Sequence, residues 1–183
     1  MQRLGEIVDS VRGSQKFIEV LRKEGRVNLE HVCEGAQAFV AACVARHHAS
    51  RSCWIVCADM RRQEDVFNGL LNWQVPALFF SELEMPSFEG AIADPEIVAE
   101  RLEVLRQLAQ EKRTVVVVTA ASLEDQVPAA DTLRKQMVVL KVSDSIDRDS
   151  LVESLLKSGY QRNSQVIARG QLAVRGGIID IFS

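Results

Sequence analysis

The chain has 183 residues, of which 47% are hydrophobic and 26% charged, enough apolar material to bury a core and to exclude disorder as its main state. Its 22 Lys and Arg stand against 25 Asp and Glu, a net charge of -3 with no clustered basic stripe, so phosphate-driven binding of nucleic acid gets no support from overall charge and only weak direct binding is expected. No apolar run approaches bilayer length, and Met1-Gln2-Arg3-Leu4-Gly5-Glu6 leads into a polar helix rather than a signal peptide, so a cytoplasmic protein with no membrane partner is expected.

In chain order, the apolar spacing predicts two amphipathic helices, one over residues 3–11 and one starting at the cap-like Ser14. The second has Phe17, Ile18 and Leu21 on one face and Gly25 as its C-cap. Residues 27–33 read as a strand, 36–47 as an alanine-rich helix, and 52–57 as a continuous apolar strand of the kind buried on both faces. A helix at 61–71, a short strand at 76–80, a long helix at 95–110 with Pro95 in its first turn and a Val-rich strand at 114–119 follow. Alternating strands and helices at these separations predict a parallel sheet with flanking helices.

The pattern changes after Asp125. Residues 126–131 read as a linker, 137–142 as a strand, and 147–157 as a helix capped by Asp147 or Ser145 and ended by Gly159. Closely spaced strands then run from 165 to 182, broken by Gly170 and Gly176-Gly177, which suits an antiparallel hairpin or meander. The expected organisation is an α/β domain over 1–125 and a smaller α+β domain over 126–183. The second ends on an apolar strand with no closing turn, and so reads as an incomplete piece of a longer protein.

In a nucleotide-binding α/β fold, a glycine-rich loop carrying Lys and then Ser or Thr would open the helix after the first strand. Here that place reads Cys33-Glu34-Gly35-Ala36-Gln37-Ala38. Gln37 and Ala38 replace the Lys that would neutralise phosphate charge and the hydroxyl that would hold magnesium, and Glu34 adds a like charge. A plain strand-to-helix turn, with no cofactor, is the better reading. His31, His47 and His48 have no spaced partner for a triad or a metal, and the cysteines at 33, 43, 53 and 57 match no zinc spacing and read as buried reduced thiols. The acidic residues Glu82, Glu84, Glu89, Asp94 and Glu96 read as a solvated face leading into the Pro95 helix, and Phe79, Phe80 and Phe88 as core and loop anchors.

The segment Gly159-Tyr160-Gln161-Arg162, followed by Gly170-Gln171-Leu172-Ala173-Val174-Arg175-Gly176-Gly177-Ile178-Ile179-Asp180-Ile181-Phe182, resembles a signature shared by the excision-nuclease subunit UvrB and the bacterial transcription-repair coupling factors, the Mfd family. Glu84-Met85-Pro86-Ser87-Phe88, with the helix after it, is similar to the coupling-factor version. The resemblance implies an N-terminal UvrB-homology module: a degenerate P-loop NTPase-like domain, then an inserted domain that docks on the damage sensor UvrA through residues 126–183. UvrB keeps an intact phosphate loop and a Tyr-rich hairpin that threads DNA. The degenerate loop and the short, Tyr-free 83–94 segment side with the coupling factors.

On that resemblance the fragment is not an enzyme, the parent protein is an ATP-dependent DNA translocase, and the other domains of the parent are further partners. The family's partner-binding positions fall on Arg175, Gly176, Asp180 and Phe182. Its basic residue after Gly-Tyr meets Gln161, with Arg162 one place on. An Arg beside a Gly on an exposed strand suits a two-pronged bond to a carboxylate, and a strand-end Phe suits an interface anchor; a surface Arg and a core Phe are the plainer readings. The alternative is a nucleotide- or DNA-binding module related to UvrB.

Overall fold

The structure, a computed structural model, describes residues 11–48, 51–83, 93–110 and 113–183. The chain forms two compact units, one of Met1–Leu83 with Gln107–Asp125 and the other of Glu84–Arg106 with Gln126–Ser183.

In the first unit, helix α1 (Arg12–Glu24) buries Ile18 and ends at Gly25, whose φ of 70° lets its N–H reach back to the Leu21 carbonyl. It begins at Arg12, two residues before Ser14, with Val11 at the N-cap making no side-chain cap; the helix expected at 3–11 lies outside the described residues but for Val11. Helix α2 (Glu34–His47) and helix α3 (Met60–Asn72, capped by Asp59 accepting from the Arg62 N–H) enclose strand β1 (Cys53–Cys57) in the sequence. Strands β2 (Leu78–Phe80) and β3 (Val115–Thr119) complete a three-stranded parallel sheet in the order β1-β3-β2.

All five residues of the central β3 are buried, as its Val run predicts. Val115 and Val117 pack with Ala42 and Ala45 of α2 and with Val66 and Leu70 of α3. Gln63 of α3 is wholly buried, and its Nε2 donates to the carbonyls of Phe80 and Val117, both at 2.8 Å, strapping β2 to β3. Thr119 then caps the one-and-a-half-turn helix α5 (Ala120–Glu124) reciprocally with Ser122. Preceding that strand, helix α4 (Pro95–Gln110) has the predicted bounds; the Asp94 carboxylate accepts from the Glu96 N–H at its start.

Several expectations need correction. Residues 27–33 form no strand: none of the described residues pairs with them as a strand, and His31 takes a φ of 59°, which breaks an extended run. Strand β1 is an edge strand, and alternate residues Trp54 and Val56 are 49% and 53% exposed rather than buried. Of the four thiols, only Cys43 and Cys57 are buried, Cys53 is half-buried and Cys33 is exposed. Burial pushes the Cys53 and Cys57 thiols up from their ordinary range, helped at Cys57 by the Asp59 charge, so neither is poised as a nucleophile.

The second unit is built on helix α7 (Arg148–Lys157), capped by Asp147 rather than Ser145, and a mixed sheet of β4 (Gln161–Arg162), β5 (Gln171–Arg175) and β6 (Ile178–Phe182). β4 runs parallel to β5, so only β5 and β6 form the expected antiparallel hairpin, and 165–170 stays irregular. Helix α6 (Ala130–Gln136) occupies the end of the expected linker. Residues 137–142 form no strand among the described residues; their β-prone side chains, Val142 at 99%, face solvent, and Ser143 turns the chain with a φ of 76°.

Candidate functional site

At the phosphate-loop position, α2 begins on Cys33 with no side-chain cap. The free N–H groups there would welcome an anion, yet the carboxylate of Glu34 already sits in that first turn and accepts from the guanidinium of Arg62 on α3. That bond holds the Glu34 carboxyl below the ordinary carboxylate range, so it stays charged and repels phosphate at neutral pH. Gly35 is exposed, Gln37 half-buried, and Ala38 buried against α3, where it closes the helix crossing instead of presenting a hydroxyl. A groove of about 550 Å³ beside it is lined by Glu34, Gln37, Arg62, Asp65, Asn72 and Trp73, a set with one cation and two carboxylates. ATP at millimolar concentration, with magnesium, should leave the melting temperature of the chain unchanged; a saturable rise, abolished by Gly35→Val, would show a working site.

The second candidate lies on the β5–β6 hairpin, and strand parity builds it. Leu172, Val174, Ile179 and Ile181 point to the α7 side, where they pack with Val152 and Leu155. The alternate residues Gln171, Ala173 and Arg175 on β5, and Ile178, Asp180 and Phe182 on β6, therefore share the opposite face, each opposite its register partner. Arg175 and Asp180, diagonal neighbours on that face, form an ion pair with 64% and 38% of their side-chain surfaces exposed. Ile178 is 64% exposed directly across from Arg175.

Gly176 opens the two-residue turn between the strands with a φ of 58°, a conformation that favours glycine. Its carbonyl accepts from the Arg148 guanidinium at 3.0 Å, fixing the turn to the first residue of α7. At the other end of the face, the Arg169 guanidinium lies 5.3 Å from the centroid of the Phe182 ring. It donates to Glu96 at 2.5 Å and to the Ser183 carbonyl at 2.6 Å.

The structure thus gathers Arg175, Gly176, Asp180 and Phe182 at one surface. Arg162 is exposed on β4, but its register partner is Leu172, which places it on the α7-facing parity rather than beside Arg175. Sequence reasoning passed over Arg169, Arg148 and Ile178. None follows from the strand alternation of β5: Arg169 lies in the turn before it, where Gly170 takes a φ of 75° and interrupts the period of two. Residues 84–92, including the Glu84-Met85-Pro86-Ser87-Phe88 stretch and Glu89, lie outside the described residues. Among the described residues, no group of three or more His, Cys, Asp or Glu is placed to hold a metal, and no helix is long and apolar enough to cross a membrane.

Residues 138–183, which hold this hairpin, match the UvrB interaction domain family. Over 105 residues the chain is 33% identical to the transcription-repair-coupling factor of Bacillus subtilis (strain 168), a stretch covering 57% of the chain and 9% of that relative. It is also 33% identical over 94 residues to the protein of the same name from Staphylococcus aureus (strain USA300), covering 51% of the chain and 8% of the relative. The chain spans about a tenth of the length of these curated relatives.

Proposed function

We propose that the chain is a docking module of transcription-coupled nucleotide-excision repair that recruits the damage sensor UvrA through residues 126–183. The observation that carries this reading is a coincidence of two independent findings. The region that matches the UvrB interaction domain is also the one that presents the exposed Arg175, Ile178 and Phe182 and the half-buried Asp180 on one sheet face. Guanidinium and aromatic groups concentrated on one face are what a protein interface of modest size needs at its centre. The module performs no chemistry of its own and holds no cofactor. Its first unit is an NTPase-like scaffold whose phosphate loop has been exchanged for the Glu34–Arg62 pair.

In this reading the parent is an ATP-dependent DNA translocase of the cytoplasm, the module contacts the other parent domains, and direct DNA binding by the module is weak. Isothermal titration of the whole chain with purified UvrA tests the reading. Saturable binding at micromolar concentration or tighter is expected, and no heat at about 100 µM of either protein, a level at which even weak interfaces register, would refute it.

A further inference from the structure

We propose that Arg169, held over the Phe182 ring, is a second cationic anchor of the docking face, and that Glu96 holds it in the place where a carboxylate of the partner binds. This rests on the docking reading above and deepens it by assigning the partner's chemistry: a protein surface that presents one carboxylate to each end of the hairpin.

The two ends of the face are built alike. At one, Arg175 carries an ion pair to Asp180 with Ile178 beside it; at the other, Arg169 carries an ion pair to Glu96 with Phe182 beneath it. Each cation is thus neutralised by a carboxylate of its own chain and sits next to an exposed apolar group. Neither pair is sequestered: Arg169 and Glu96 expose 33% and 54% of their side chains. Exposed pairs of this kind are screened and hold weakly, so they exchange for a better acceptor at little cost.

The Arg169 guanidinium is also prearranged. The Phe182 ring, 5.3 Å from the guanidinium carbon, and the Ser183 carbonyl hold it in place, while Nη2 has no partner among the described residues. A guanidinium held over a ring face can still turn its free N–H donors to a carboxylate, and covering by a partner strengthens both the cation–π and the charge contact. Glu96 uses the Nε edge of that fork, so a partner carboxylate competes directly with it.

A residue that only braced Phe182 would want Glu96 kept; a residue that receives a partner carboxylate would bind better without it. Titration of the whole chain with purified UvrA separates the two. Arg169→Gln should weaken binding by about fivefold or more, as for an interface charge contact. Glu96→Gln should tighten it about two- to fivefold, the scale of releasing an exposed ion pair, and the gain should shrink at 0.5 M salt. Arg169→Lys, which keeps the charge but not the fork, should fall between wild type and Arg169→Gln, and carries the test if Arg169→Gln melts at a lower temperature.

Weaker or unchanged binding in Glu96→Gln overturns the proposal, because it leaves Arg169 as a brace. If Arg175→Ala loses affinity while Arg169→Gln, Arg169→Lys and Glu96→Gln bind as wild type does, the docking reading stands and the second anchor is wrong. If wild type itself does not bind UvrA, both fall together.

Discussion

Arg175→Ala is expected to weaken UvrA binding at least about tenfold, which corresponds to roughly 1.4 kcal/mol, while leaving the melting temperature within a degree or two of wild type. The two halves of that result come from different features. In the free protein Arg175 is mostly solvated and pairs with the partly exposed Asp180, a pair of the class that contributes little to folding. Its backbone remains in the β5–β6 ladder whatever the side chain, and Gly176 continues to make the turn.

In the proposed docking the same guanidinium would be desolvated against the partner, and removing it would leave an acceptor buried without its cation, which is why truncating one side of such a contact costs more than the contact itself is worth. Asp180→Asn separates the pair from the interface, since it frees Arg175 without deleting it and should preserve or improve affinity. Wild-type affinity for Arg175→Ala in calorimetry, or a fall in melting temperature that accounts for the lost binding, would move the docking surface elsewhere.

The second large effect concerns one substitution at two glycines. Gly69→Ala should lower the unfolding free energy by about 1–3 kcal/mol in urea denaturation, the range for overpacking a tight interior, whereas Gly35→Ala should leave it unchanged or raise it by up to about 1 kcal/mol. A Cβ on Gly69 would stand 2.3 Å from the Cβ of Ala38, which is rigidly attached to the backbone of α2, so the two helices must part for it to fit. The helix-propensity gain of alanine over glycine works against that penalty but is smaller. Near Gly35 a Cβ meets nothing within 4 Å, and the same propensity gain acts alone. A stabilised Gly69→Ala would mean that α2 and α3 cross less closely than described. Ala38 stands where a phosphate loop would need its hydroxyl, so the contact also explains structurally why that position is small.

How far the fold could be read from sequence depended on whether an element is decided locally. The β3 run Val115–Thr119, Pro95 opening α4, and Gly25 and Gly159 closing α1 and α7 were all legible, because caps, φ preferences and an unbroken apolar run act within a few residues. Residues 27–33 and, more strongly, 137–142 carry β-prone side chains and form no strand, because a strand exists only where another edge pairs with it, and that partner is not written in the segment itself. The exposed side of β1 is hidden in a similar way: Cys53-Trp54-Ile55-Val56-Cys57 reads as buried on both faces, and whether another layer covers the Trp54 and Val56 face is decided by distant elements.

The candidate site was legible in its period and illegible in its partners. Alternation puts Arg175 with Asp180 and Phe182, but the diagonal pairing of Arg175 depends on register. The capture of Arg169 by Glu96 joins residues 73 positions apart, which no local pattern reveals.

The Gln63 amide has a consequence for what the first unit can evolve to do. In open parallel sheets, small molecules enter beside the carboxyl ends of the strands, where unclaimed backbone groups and loop donors receive them. Here one side-chain nitrogen has claimed the Phe80 carbonyl, at the last residue of β2, together with that of Val117, and Thr119 and Ser122 have claimed one another as β3 ends. A ligand arriving at this rim would have to outbid bonds the protein already makes to itself. Restoring Lys and Thr at positions 37 and 38 would therefore recreate a consensus without recreating a receptacle, because the doorway has been mortared from within.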